Sequence, residues 1–173
     1  MQLLDWLLGH DVWSTRQLLH AAAPLSDAQL DQPFDMDART LRACLAHVIE
    51  NMEVWGDLLA GRDPQAQADP ARGDTSIAGM LHRLSVAGQT FASVARAIER
   101  EGRLGELWLD TLDSPPTRKS YGGTITHVLT HSMHHRAQVM YMLERLGVTA
   151  HIEGDVLSWE AVAFGWADPP PVG

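Results

Sequence analysis

The sequence predicts an all-α fold, a four-helix bundle. Three observations carry this: four long segments have helical periodicity, no region is rich in strand formers, and the connections between segments carry turn chemistry. The length of 173 residues suits one domain, residues 1–173, large enough to bury a core without staples.

The first helix is expected over residues 3–23, with Leu3, Trp6, Leu7, His10, Trp13 and Gln17 on one face and Pro24 as its stop. Ser26 and Gln29 stand in capping-box spacing, so a short helical turn fits the linker. The second helix is expected over residues 38–59, capped by Asp37, with Leu41, Cys44, Leu45, Val48, Met52, Trp55 and Leu59 as its stripe. Residues 61–74 read as a loop from their Gly, Pro and Asp content. The third helix, residues 76–100, repeats Ile77, Met80, Leu81, Leu84, Ala87, Phe91, Val94, Ala95 and Ile98 in 3-4 alternation. That stripe holds no candidate ligand, so this helix is scaffold.

Residues 103–123 read as irregular, with Leu107-Trp108-Leu109 as a short extended piece. The fourth helix is expected over residues 124–146, ended by Gly147. Residues 155–159 suggest one more helical turn packed on the bundle, and Asp168-Pro169-Pro170-Pro171 a frayed end.

Composition excludes several functions. A formal net charge of −9 and the lack of any compact basic run argue against nucleic acid or an anionic membrane as partner. No run of about 18 apolar residues is present to span a membrane. The opening Met1-Gln2-Leu3-Leu4-Asp5-Trp6 does not read as a secretory leader. The lone Cys44 allows no internal disulfide, so a cytoplasmic location is expected. Cys44 lies on the apolar stripe of its helix and reads as an inert core residue.

The chemistry is concentrated in histidine. Four of the nine histidines crowd into the fourth helix: His127, His131, His134 and His135. On a wheel with Ile125 at zero, Val128, Leu129, Val139, Leu143 and Leu146 form the apolar arc, and His131 and His135 fall at about 240° and 280°, at its edge. An i, i+4 pair on one face is the spacing at which two imidazoles grip one metal. On the second helix, with Leu41 at zero, His47 also falls at about 240°. Where two such edges meet, His47, His131 and His135 form a three-imidazole site for Zn²⁺, Ni²⁺ or Fe²⁺, with coordination positions left open. His134, at about 180°, belongs to the polar side. His127, at about 200°, is open between a group behind the ligands and a ligand in place of His135. His20, His82 and His151 lack a partner pattern and read as structural or solvated. No Glu stands between His131 and His135, so the zinc-peptidase arrangement is absent. The nucleophile elbow and the Gly-rich phosphate loops are also absent.

The segment Thr124-Ile125-Thr126-His127-Val128-Leu129-Thr130-His131-Ser132-Met133-His134-His135-Arg136-Ala137-Gln138-Val139 resembles the final-helix motif of the DinB-like superfamily of metalloenzymes. Leu45-Ala46-His47-Val48 with downstream Trp55 resembles that family's second-helix motif, and Asp11-Val12-Trp13 is similar to its first-helix pattern. His10 and Asp11 stand where the family more often has an aromatic residue and Asn, a departure that bears on the substrate pocket and leaves the metal positions untouched. The resemblance spans the whole chain. It implies an up-up-down-down bundle, a homodimer, and a divalent metal on His47, His131 and His135.

Some relatives of that kind are transferases or isomerases dependent on low-molecular-weight thiols. The resemblance therefore implies a metal-dependent enzyme that activates a thiol or water for a small-molecule substrate. His10, Asn51 and Gln138 are candidates to line the pocket or orient ligands, beside the alternative that they are ordinary buried polar residues. The competing functions are a non-catalytic metal-binding or stress-response module acting through its dimer surface, and a metal-free helical scaffold.

Overall fold

The computed structural model describes residues 2–36, 40–64, 70–148 and 154–165. The four expected helices are present: α1 (Leu3–Ala22), α3 (Leu41–Leu59), α4 (Ile77–Arg100) and α5 (Tyr121–Arg145). The Ser26–Gln29 capping box forms and holds the one-turn α2 (Asp27–Leu30). After α5 and Gly147, which takes the left-handed φ of 82° that a side chain resists, α6 runs Val156–Phe164.

Capping chemistry sets the starts. Thr40 accepts the Ala43 amide and begins α3. The expected Asp37 cap and Ala38 start lie outside the described residues, as do His151 and the Pro-rich end. Ser120 accepts the Gly123 amide, so α5 begins at Tyr121, earlier than the expected Thr124. The intervening Gly122-Gly123 pair reads as a breaker but is carried by the cap. Residues 103–123 are less irregular than expected. Leu107–Asp110 forms β1 and pairs antiparallel with β2 (Thr117–Ser120). The polar Thr117-Arg118-Lys119-Ser120 has no apolar alternation, so its strand character comes from pairing with β1.

α1 and α3 each pack against both α4 and α5. Asp5 pairs with Arg96, and Val12 lies against Gly88, so α1 and α4 are antiparallel. Arg42 reaches the Thr75 carbonyl, Glu53 pairs with Arg83 and Gly56 lies on Phe91, so α3 and α4 are parallel. Cys44 meets Gln138 and Trp55 meets His127, so α3 and α5 are antiparallel. The order is therefore up-down-down-up, which corrects the expected up-up-down-down. The length of the connection, residues 60–76, allows this. A 19-residue α3 is about 28 Å long. An extended chain gains about 3.3 Å per residue, so this connection can return along the whole bundle before α4 starts.

The stripes expected for α3, α4 and α5 supply the core, with Leu45, Met52, Leu84, Phe91, Val128 and Val139 fully enclosed. The face expected for α1 is corrected. Leu8, Asp11, Thr15, Leu18, Leu19 and Ala22 are buried, whereas Leu3 and Leu7 are exposed. The aromatic side of α1 is partly covered by α6: Trp6 packs edge-on against Trp159 and tilted against Phe164. Gly9 permits this, since a Cβ there would come within 2.4 Å of the Trp159 ring. The polar core positions of α1 are served by Arg136 of α5, whose Nη1 donates to Asp11 Oδ1.

Candidate metal centre

The antiparallel pairing of α3 and α5 brings together the three histidines that the sequence singles out. One nitrogen from each of His47, His131 and His135 lies within 4.8 Å of the other two. His47 and His131 are half-buried and His135 is buried. The His47 ring stands 5.1 Å from that of His131 and 4.7 Å from that of His135.

Hydrogen bonding selects the nitrogens that can face a metal. Gln138 Oε1 lies 2.7 Å from His135 Nδ1 and can only accept, so Nδ1 carries the proton. His135 Nε2 is thereby a lone pair in the neutral ring, and it faces His131 Nε2 at 3.2 Å. Two nitrogens bound to one tetrahedral Zn²⁺ at about 2.0–2.1 Å stand about 3.3 Å apart. The His131–His135 spacing thus fits a small divalent ion, with His47 close by. Burial, followed by the neighbouring His135, His47, His127 and His134, pushes the His131 pKa down to about 4. His131 is neutral across the physiological range, the state a ligand needs. Its Nδ1 is buried without a hydrogen-bond partner.

Cys44 is fully buried, as expected, and its Sγ lies 3.7 Å from Gln138 Oε1 and 3.8 Å from His135 Nδ1. It touches the outer side of His135, away from the cluster of nitrogens. Gln138 therefore orients, one of the two readings open to it, and its amide nitrogen also lies 3.3 Å from His134 Nε2. His134 itself is exposed, as its wheel position requires.

Asn51, one turn after His47, accepts from Trp55 Nε1 at 2.8 Å, which fixes its amide orientation. Its Nδ2 is buried and has no partner among the described residues. His127 is exposed, does not join the converging nitrogens, and sits between His131, tilted at 5.2 Å, and Trp55, edge-on at 5.6 Å. Trp108 continues this aromatic wall from Trp55 to Tyr121. The sequence reading missed Trp108 and Tyr121 because the hairpin that carries Trp108 has no strong signal. His10 is the one candidate that the structure separates from this group. It lies on α1, its Nε2 donates to the Gly154 carbonyl at 2.5 Å, and it lines a different cavity, one without the three histidines.

None of the described helices is long and apolar enough to cross a membrane. The chain matches the model of the DinB family over residues 1–160. No curated protein and no solved structure matches it.

Proposed function

The chain belongs to the DinB family, and from that premise we propose that His47, His131 and His135 hold a divalent metal ion at which a low-molecular-weight thiol or water is activated, as in a thiol S-transferase. The observation that carries the reading is the convergence of the three imidazole nitrogens within 4.8 Å. Three neutral nitrogen donors suit Zn²⁺, Ni²⁺ or Fe²⁺ and leave positions open for an exchangeable ligand. When bound, such an ion lowers the pKa of a thiol or water held against it, supplying a nucleophile near neutral pH.

The protein's own groups do the rest. Gln138 holds His135 in the tautomer that offers Nε2. The low pKa of His131 keeps its lone pair available. Asn51, its oxygen tied to Trp55, has a buried N–H donor to offer a substrate oxygen or sulfur beside His47. Trp55 and Trp108, packed edge-on 6.1 Å apart, place apolar rings on that side of the site.

Metal content of untagged protein, measured by elemental analysis, tests the reading. Near-stoichiometric metal in the wild type is expected, and loss of it in His47→Ala, His131→Ala and His135→Ala without unfolding. Thiol-transfer assays with candidate thiols follow. A wild type that stays metal-free after incubation with Zn²⁺ and Ni²⁺ overturns the reading. Full metal loading without thiol or water chemistry leaves a metal-binding module in place of an enzyme.

A further inference from the structure

A second cavity lies between α1 and α5, on the other side of α5 from the histidines. Met133 and Ala137 stand about 200° around the helix from His131 and His135, respectively. The cavity measures about 400 Å³ and is also lined by Gly154, Asp155 and Val156. Its walls are mainly apolar, with Leu7 and Leu18 from α1 facing Met133, Ala137 and Met140 from α5. Its size and lining are those of small-molecule sites.

The polar groups of this slot are mostly spent on each other. Ser14 Oγ donates to the His10 carbonyl at 2.8 Å, and His10 Nε2 donates to Gly154. Arg136 differs. Its side chain is only 8% exposed, yet every hydrogen bond it makes among the described residues uses Nη1, to Asp11 and Thr15. A guanidinium carries five N–H donors. Nε and Nη2 have no partner among the described residues and are not fully enclosed, so they stay open to water or to an acceptor in the slot. The charge of Arg136 is already balanced by Asp11, and Asp155 adds a carboxylate at the rim. An incoming anion would meet these negative groups. An uncharged acceptor would take the spare donors without that repulsion.

We propose that this slot binds a small, uncharged, largely apolar molecule that carries one hydrogen-bond acceptor, such as a ketone, ester or amide carbonyl, seated on Arg136. The site is independent of the metal centre.

Methionine methyl NMR on the full chain, with methyl-labelled methionine, tests it. Met133 and Met140 line the slot, whereas Met52 and Met80 are buried elsewhere in the core. Benzylacetone is expected to shift the Met133 and Met140 signals saturably and leave Met52 and Met80 unmoved. Butylbenzene, which lacks the acceptor, is expected to bind about tenfold more weakly, the worth of one hydrogen bond to a charged donor. Phenylbutyrate is expected to bind more weakly than the ketone. Ala137→Phe, which fills the slot, should abolish binding, and Arg136→Lys should bring the ketone down to the hydrocarbon. Because Arg136→Lys risks misfolding, the three-probe comparison on wild type and Ala137→Phe decides without it. Equal binding of ketone and hydrocarbon overturns the proposal. So does a preference for phenylbutyrate, binding that survives Ala137→Phe, or Met133 and Met140 shifts that follow protein concentration alone, the sign of a second copy on this face.

Discussion

His135 Nδ1 and Gln138 Oε1 lie 2.7 Å apart, one turn of α5 from each other. This bond decides which nitrogen of His135 faces His131, so a residue outside the three-histidine cluster sets the donor geometry. Gln138→Leu is expected to keep the fold and weaken divalent-metal affinity by about 10–100-fold, the usual cost of losing such an orienting partner. Competition against a chromophoric chelator measures it. Affinity unchanged in Gln138→Leu would remove Gln138 from the site.

Glu53 and Arg83 form a bidentate pair between α3 and α4, at 3.0 and 2.8 Å, with both side chains buried. Removing one partner strands the other charge. Glu53→Ala is expected to destabilise by about 3–5 kcal/mol, and Glu53→Met with Arg83→Met by much less. Urea denaturation of the two variants gives the comparison, and equal losses would contradict it.

Gly88 marks a close approach of α1 and α4. A Cβ there would lie 2.6 Å from Val12 Cγ2, a stiff branched side chain that cannot swing away cheaply. Gly88→Val is expected to cost about 1–3 kcal/mol through overpacking, with Val12→Ala restoring part of it. Thermal denaturation of the single and double variants tests this coupling.

Asp155 caps α6 by accepting the Leu157 and Ser158 amides. Its pKa is lowered from the ordinary 3.8, first by the Ser158 backbone bond and then by the Ser158 hydroxyl. A depressed carboxylate stabilises the fold above its unfolded pKa and loses that contribution as pH falls through the folded value. α6 should therefore loosen from α1 only below pH 3.8. Asp155→Ala should show the same loosening at neutral pH. Amide exchange in α6 is the readout, and protection that is insensitive to both acid and the variant would refute the cap's role.

The extent to which the sequence was legible depended on where the information lay. Helical periodicity located α3, α4 and α5 because each buries a continuous apolar stripe. It located α1 as well but misread its buried face, because the richest apolar face, with Leu3, Trp6 and Leu7, points away from the core. There, Asp11 and Thr15 are buried because Arg136 arrives from α5 to satisfy them. No local pattern announces a partner 125 positions away. β2 was missed for a similar reason: its four polar residues become a strand only when Leu107–Asp110 lies beside them.

The sequence by itself determined the all-α class, the helix stops at Pro24 and Gly147, and the choice of His47, His131 and His135. Each follows from spacing within a segment, where backbone geometry fixes what shares a face. The tertiary structure alone decided that α3 runs antiparallel to α5 and that His10 belongs to a different cavity. Those facts depend on how helices distant in sequence are set against one another. That is fixed by the summed burial of their faces and the pairing of their buried charges, quantities no single segment contains.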